Sequence, residues 1–318
     1  MSSDTHPAKR IVLTGPTGWI GRALLAMLFR SGDRDALAAR QELVLFGSSA
    51  GTITVDGGGE LAIRPLSSLT PADIADAHVI HLAYLTKDKV AEQGEAEFRR
   101  INREIDRVLL DAMAERKPAS LFVASSGAAS LAESNGDPEP YGQMKLEQEH
   151  RFLDWCTSAA VPVLVGRIFN IAGPHINKLD AYALSNFAVQ ALATGKIEIS
   201  ATIPVFRSML HVDDLCRIIL RSARSAFTTA RPLDLCGNTI VEMGDIAELV
   251  ARALPGQVPI TRGEIDYSRS SVYVGAPHET RIMCMKFGIS QTDLYGQVCD
   301  TVNWIRARGI ERRVAVSV

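Results

Sequence analysis

Tyr141 and Lys145 stand four positions apart in Tyr141-Gly142-Gln143-Met144-Lys145. On a helix, residues at i and i+4 share one face. A free tyrosine has a pKa of about 10 and is neutral at pH 7, and an ammonium beside it favours the phenolate. Such a pair can trade a proton with an alcohol or ketone oxygen while hydride moves at the attached carbon. Leu121-Phe122-Val123-Ala124-Ser125-Ser126 adds a hydroxyl at the C-terminal end of an apolar strand, the end where open α/β sheets bind ligands. Gly15-Pro16-Thr17-Gly18-Trp19-Ile20-Gly21 follows another apolar strand and opens an amphipathic helix. Its glycines let the backbone approach a pyrophosphate, and the helix N-terminus offers free N–H groups. Alone, each feature reads equally as a turn, a chance pair or a polar strand end. Together they predict a dinucleotide site with proton-transfer groups beside it.

Those residues need elements to hold them. Strand candidates are Ile11–Thr14, Leu43–Phe46, Val79–Leu82, Leu121–Ala124, Val163–Arg167 and Leu233–Cys236. Each is short, apolar and often β-branched, as in strands covered on both faces. Helical patterns lie between them at Ile20–Arg30, Glu95–Arg116, Tyr141–Ala160 and Val212–Ala226, the third preceded by Asp137-Pro138-Glu139-Pro140. The alternation predicts an α/β fold with a doubly wound parallel sheet. Gly57–Gly59 reads as a tight turn between two short strands. After Asn170 the pattern weakens, with helices expected at Ala181–Ala193, Asp245–Ala253 and Asp293–Arg306. The expected division is residues 1–173 and 209–238 for the dinucleotide-binding domain. Residues 174–208 and 239–318 would form a smaller mixed substrate lobe.

Composition narrows the function. The chain has 318 residues, with 34 Lys+Arg against 36 Asp+Glu. A net charge of −2 gives no electrostatic reason to expect nucleic acid or an anionic membrane as partner. No apolar run approaches a membrane span. The first residues, MSSDTHPAKR, lack the apolar core of a secretory signal. Cys156, Cys216, Cys236, Cys284 and Cys299 are dispersed, without CxxC spacing. That pattern predicts reduced, buried thiols in a cytoplasmic protein, with neither a disulfide framework nor a metal site.

The spacing Gly15-x-x-Gly18-x-x-Gly21, followed by Ser126, Tyr141 and Lys145 in that order, resembles the extended short-chain dehydrogenase/reductases. These are the NAD-dependent epimerase/dehydratase family of nucleotide-sugar enzymes. The resemblance runs from Ile11 to about Ile305 and implies a Rossmann domain. It implies cofactor contacts from Gly15, Thr17, Gly18, Trp19, Ile20, Gly21, Ser48, Ser49, Leu82, Ala83, Asn102, Tyr141 and Lys145. Ser126 would orient the substrate oxygen, with Ser125 as the fallback; Tyr141 and Lys145 would complete the catalytic set. His81 reads as a structural residue at a strand end. For Asn102 the bland alternative is a polar helix residue facing solvent.

On the substrate side, Arg167-Ile168-Phe169-Asn170-Ile171-Ala172-Gly173-Pro174 is similar to the family segment R-x-F-N-x-Y-G-P. Phe206-Arg207-Ser208-Met209-Leu210-His211-Val212-Asp213-Asp214 is similar to R-D-F-I-H-V-D-D. The resemblance implies that Asn170 and Arg207 contact a substrate diphosphate, which a guanidinium suits by its bidentate geometry. Arg262 is expected as a second phosphate arginine, in competition with Arg269. Asp213 or Asp214 would cap a helix. Family dehydratases carry an acidic pair after the Ser/Thr, whereas Gly127 and Ala128 stand here. That argues against a 4,6-dehydratase.

NAD-preferring folds place an acid at the end of the second strand, about 20 residues past the loop. Leu45-Phe46-Gly47-Ser48-Ser49 has none there. NADP(H) is therefore favoured, with Ser48, Ser49 and Arg22 as its 2′-phosphate contacts; NAD(H) stays open. The leading expectation is NADPH-dependent reduction of a nucleotide-linked 4-keto-6-deoxyhexose by a homodimer paired through the two long helices. The alternatives are a nucleotide-sugar 4-epimerase with retained NAD, a non-catalytic NADP-sensing protein, and a reductase of non-sugar carbonyls.

Overall fold

A computed structural model describes residues 8, 10–37 and 41–309. Of the N-terminal stretch read for a secretory signal, only Ala8 and Arg10 are among them. The strands are β1 (Arg10–Thr14), β2 (Glu42–Gly47), β3 (Gly51–Val55), β4 (Gly59–Pro65), β5 (Ala77–His81), β6 (Ser120–Ser126), β7 (Val163–Ile168), β8 (Asn170–Ala172), β9 (Ile197–Ile199), β10 (Val205–His211), β11 (Leu233–Leu235), β12 (Ile240–Glu242), β13 (Ile260–Arg262) and β14 (Ser271–Tyr273). The helices are α1 (Trp19–Leu28), α2 (Pro71–Ile74), α3 (Asp88–Gln93), α4 (Glu95–Glu115), α5 (Gly127–Asn135), α6 (Pro140–Ala159), α7 (Ala183–Thr194), α8 (Val212–Arg224), α9 (Met243–Arg252), α10 (Pro277–Phe287) and α11 (Leu294–Ala307).

The chain divides into two compact units. The first holds residues up to Ile168 together with Cys216–Asp234. Its sheet has the order β11-β7-β6-β5-β1-β2-β4-β3. From β7 to β4 every pairing is parallel, and β3 runs antiparallel to β4, which follows it across the Gly57–Gly59 turn. β5 and β7 are buried at every position, including His78, His81 and Arg167, so their polar side chains need partners inside the fold. The core packs Val12, Phe46, Val79, Leu121 and Val123 from the sheet against Leu109 and Met113 of α4 and Phe152 of α6. The parallel, doubly wound α/β fold is the one the strand pattern predicted.

The second unit holds Phe169–Leu215 and residues from Leu235 onward. β10 lies between β12 and β14 and also pairs with β8. Residues 209–215 therefore side with this unit and not with the main sheet, because the backbone bonds of Met209–His211 run to Asn170–Ala172 of β8. The stretch read as poor in strands contains β8, β9 and β10, each too short or too mixed to show a period. Asp213 and Asp214 sit inside the first turn of α8 and do not cap it.

Cys156, Cys216, Cys236 and Cys284 are buried free thiols, and Cys299 is half-buried. No described helix is long and apolar enough to cross a membrane. Among the described residues no cluster of three His, Cys, Asp or Glu could hold a metal ion.

Two stability predictions follow from these contacts. Phe152→Ala empties a fully buried site and should cost about 3–5 kcal/mol in urea unfolding. His78 is buried on β5 with its Nδ1 2.8 Å from Ser120 Oγ. Burial, helped by Arg224, holds its pKa down to about 4 from 6.5. The unfolded chain therefore binds a proton that the folded one refuses. This contribution is intact above pH 6.5 and lost as pH falls toward 4. His78→Gln should flatten the pH dependence of the unfolding midpoint across that window.

Candidate active site

The glycine loop leaves β1 with Gly15 at φ 73°. A Cβ on Gly15 would lie 2.9 Å from the Ala83 nitrogen, and one on Gly21 would lie 2.4 Å from the Gly15 carbonyl oxygen. The loop closes on itself and on the chain leaving β5 more tightly than any side chain allows. At Gly18, the N-cap of α1, a Cβ would meet only the Gly15 oxygen, at 3.5 Å. The cradle that suits a pyrophosphate is thus present: closed behind, open at Gly18, with the α1 N-terminus beneath it. Trp19 is buried, Ile20 half-buried and Thr17 exposed, and Arg22 Nε donates to the Thr17 carbonyl at 3.0 Å. Leu82 and Ala83 donate their N–H groups to Thr14 Oγ1, each at 3.1 Å. That bond holds the β5 exit beside the loop. Ser48 and Ser49 are exposed in the turn after β2.

Ser126 ends β6 and caps α5, accepting the Ala128 N–H at 3.2 Å. Ser125 points elsewhere: its hydroxyl donates to Glu149, which also receives Arg167 Nε at 2.9 Å. Strand alternation separates the two hydroxyls, and the fallback serine belongs to a buried ion-pair cluster. α5 was not expected from the sequence. The Gly-Ala-Ala-Ser run shows no amphipathic period, and the cap at Ser126 is its only clear signal.

Tyr141 and Lys145 lie on α6, one turn apart. Lys145 is 4 % exposed. Its Nζ donates to the Ala124 carbonyl at 2.6 Å and to Gln148 Oε1 at 2.9 Å. The Tyr84 ring covers it, 3.7 Å from Nζ to the ring centroid. Burial pulls the Lys145 pKa down to about 7, against the pull of Asp106 and Glu149. Tyr84 also packs edge-on to Tyr141 at 6.5 Å and donates its hydroxyl to the Met144 carbonyl at 2.9 Å. Asn102 is fully buried on α4, so it does not face solvent. Its Oδ1 accepts the Leu85 N–H at 2.8 Å, and its Nδ2 has no protein partner among the described residues. His81 is buried, between Thr14 Oγ1 at 2.9 Å and Asp106 Oδ1 at 3.5 Å.

Sequence reasoning missed Tyr84, Asp106, Gln148 and Glu149. Three had a signal: Asp106 follows Asn102 by four residues, and Gln148 and Glu149 follow Lys145 by three and four. They extend the faces that already carried chemistry. Tyr84 sits in a loop and had none.

The substrate-side residues lie in the second unit. Arg207 of β10 is half-buried; it donates to the Phe206 carbonyl at 2.8 Å and to Ser271 Oγ at 3.2 Å. Burial lowers its pKa, opposed only by Tyr273, and among the described residues no carboxylate pairs with it. Asn170 Nδ2 donates to the Tyr273 carbonyl at 3.4 Å, so both residues converge on β14. Arg262 does not match its expected role. Its guanidinium is held by both Glu242 oxygens, at 2.9 and 3.1 Å, and by the Ala201 and Ile203 carbonyls. Burial raises the Glu242 pKa, but the bonds from Arg262 and from the Val205 and Gly244 N–H groups win and hold it at about 2. Arg262 is thus already neutralised. Arg269, its competitor, is exposed and paired to Asp266 at 3.2 Å. Both arginines line a cavity of about 320 Å³ with Phe206 and Tyr267.

The close approach at Gly21 makes a direct test. Gly21→Ala should fold but weaken NAD(P)H binding tenfold or more in a fluorescence titration, about 1.4 kcal/mol, because the loop must open to admit the methyl group.

Comparison with known proteins identifies the fold and the family. Among solved structures, UDP-N-acetylglucosamine 4-epimerase from Methanobrevibacter ruminantium M1, in complex with UDP-N-acetylmuramic acid, is 16% identical at TM-score 0.73, over 95% of this chain and 99% of that one. UDP-glucose 4-epimerase from Brucella ovis, in complex with NAD, is 18% identical at TM-score 0.71, over 93% and 98%. RMD from Pseudomonas aeruginosa, complexed with NADPH, is 20% identical at TM-score 0.65, over 94% and 99%. At such identities the likeness is one of fold. No curated protein matches the chain by sequence. Residues 11–236, from the strand before the glycine loop to the end of the main sheet, match the family itself. The chain belongs to the NAD dependent epimerase/dehydratase family of enzymes.

Proposed function

We propose that the protein is an NADPH-dependent reductase of a nucleotide-linked keto sugar, of the 4-keto-6-deoxyhexose kind. The observation that carries the chemistry is the buried Lys145 ammonium one turn from Tyr141, in the same unit as the glycine cradle. When bound, the nicotinamide would supply hydride to the carbonyl carbon. Ser126 holds the substrate oxygen through its hydroxyl. Tyr141 gives that oxygen its phenolic proton, and Lys145 favours the phenolate that remains. Gly15, Thr17, Gly18, Trp19, Ile20 and Gly21 would hold the pyrophosphate by backbone contacts. Leu82, Ala83 and Asn102 keep the β5 exit in register with them.

Two features support NADPH and a nucleotide-linked substrate. The end of β2 presents exposed Ser48 and Ser49 and no carboxylate, so a 2′-phosphate meets donors and no repulsion. Arg207, half-buried without a carboxylate and beside Asn170, is an anion site waiting for a diphosphate. Arg262 takes no part in this reading while Glu242 holds it. Gly127 and Ala128 leave no acid next to Ser126 for eliminating water. The second reading, a 4-epimerase with retained NAD, is favoured by the 4-epimerases from Methanobrevibacter ruminantium and Brucella ovis among the structural neighbours. A homodimer would pair through α4 and α6, and a monomeric mass in light scattering would remove it.

Parallel titrations with NADPH and NADH test the reading. An empty site as purified and an NADPH preference of tenfold or more, about 1.4 kcal/mol, are expected. NAD that co-purifies and resists dialysis selects the epimerase. With a nucleotide-linked keto sugar, Tyr141→Phe should lower kcat about a hundredfold or more.

A further inference from the structure

A lysine without water around it needs acceptors and counter-charge. Lys145 has two acceptors. The Ala124 carbonyl, at 2.6 Å, is fixed by the sheet. The Gln148 carboxamide, at 2.9 Å, is not. Its oxygen faces Lys145 only while its nitrogen has an acceptor elsewhere. Asp106 is that acceptor: Gln148 Nε2 donates to Asp106 Oδ1 at 2.6 Å. Asp106 is fully buried on α4, and Arg151 donates to its Oδ2 at 2.7 Å. His81 lies 3.5 Å from Oδ1 and reaches Thr14 Oγ1 at 2.9 Å. Thr14 is the residue before Gly15. A single buried polar path thus joins the ammonium to the strand that launches the glycine loop.

We propose that Asp106 is the positioning residue of this site: through Gln148 it sets the acceptor that orients Lys145, and its negative charge favours the ammonium form of the lysine. The proposal rests on reading Lys145 as the partner of Tyr141. Glu149, the other carboxylate near Lys145, is already matched by Arg167, which also pairs with Glu133 at 2.7 Å. Tyr84 gives its ring face, and burial raises its pKa, so it stays neutral. Tyr141, one turn earlier, is the group to be tuned. Removing the Asp106 charge also strips Arg151 of its counter-ion. Both changes make Lys145 lose its proton more readily.

The measurement is the titration of Lys145 itself, by NMR of protein carrying ε-13C lysine, with the resonance assigned by its loss in Lys145→Arg. Asp106→Asn keeps the shape and an oxygen for Gln148. Its Lys145 midpoint should fall by about one pH unit or more. Gln148→Leu keeps the Asp106 charge but breaks the link, and should lower the midpoint by less. A folded Asp106→Asn protein with the wild-type midpoint overturns the proposal, because a merely structural carboxylate would change stability and leave the titration alone. If Asp106→Asn does not fold, Gln148→Leu decides, and an unchanged midpoint overturns the proposal there. The titration needs no substrate. A shifted midpoint in a protein without keto-sugar reductase activity would support this proposal and remove the reductase reading.

Discussion

A buried lysine is the constraint around which the site of the first unit is arranged. Moving an ammonium out of water costs several kcal/mol even after relaxation. Lys145 meets that cost with one backbone carbonyl, one carboxamide and the face of Tyr84. Each comes from a different element: β6, α6 and the loop after β5. None can move far without leaving the ammonium short of a partner. The order β6-β5-β1 and the packing of α4 on α6 are therefore what the chemistry needs as well as what the apolar core dictates.

The glycine loop is constrained by space in place of charge. Gly15 is needed twice, for a positive φ and for the Ala83 nitrogen that passes behind it. Thr14 links the two constraints. Its hydroxyl accepts both N–H groups at the β5 exit and also touches His81. The cradle and the buried polar path to Lys145 thus meet at one side chain. A network of this kind is rigid only if every member is satisfied, which explains why its residues lie deep in the fold.

The second unit shows how one residue type reaches opposite ends. Arg207 on the seven-residue β10 and Arg262 on the three-residue β13 were both expected to hold phosphate. Arg262 has Glu242 and two carbonyls around it, so its charge is balanced within the protein. Arg207 has a serine and a tyrosine ring near it, and burial lowers its pKa. The difference is a contact outside the strand pairing: Glu242 of β12 reaches Arg262 although β13 pairs only with β9, whereas Arg207 faces Val241 and Tyr273 in register.

The sequence alone sufficed for the parallel sheet, the glycine loop and the placing of Tyr141 and Lys145 one turn apart on a helix. These depend on local patterns: apolar strands, glycines at fixed spacing, residues one helical turn apart. α10 was missed, although Pro277 in its first turn and Gly288 in its left-handed cap mark its two ends. The tertiary structure decided everything that depends on a partner distant in the chain. It separated Ser126 from Ser125 through Glu149, neutralised Arg262 through Glu242, and moved residues 209–215 into the second unit through pairing with β8. It also brought Asp106 within reach of Gln148. Spacing along a chain fixes which residues share a face. Only the packed fold fixes what that face meets, because hydrogen bonds and counter-charges act over a few ångströms whatever the distance in sequence.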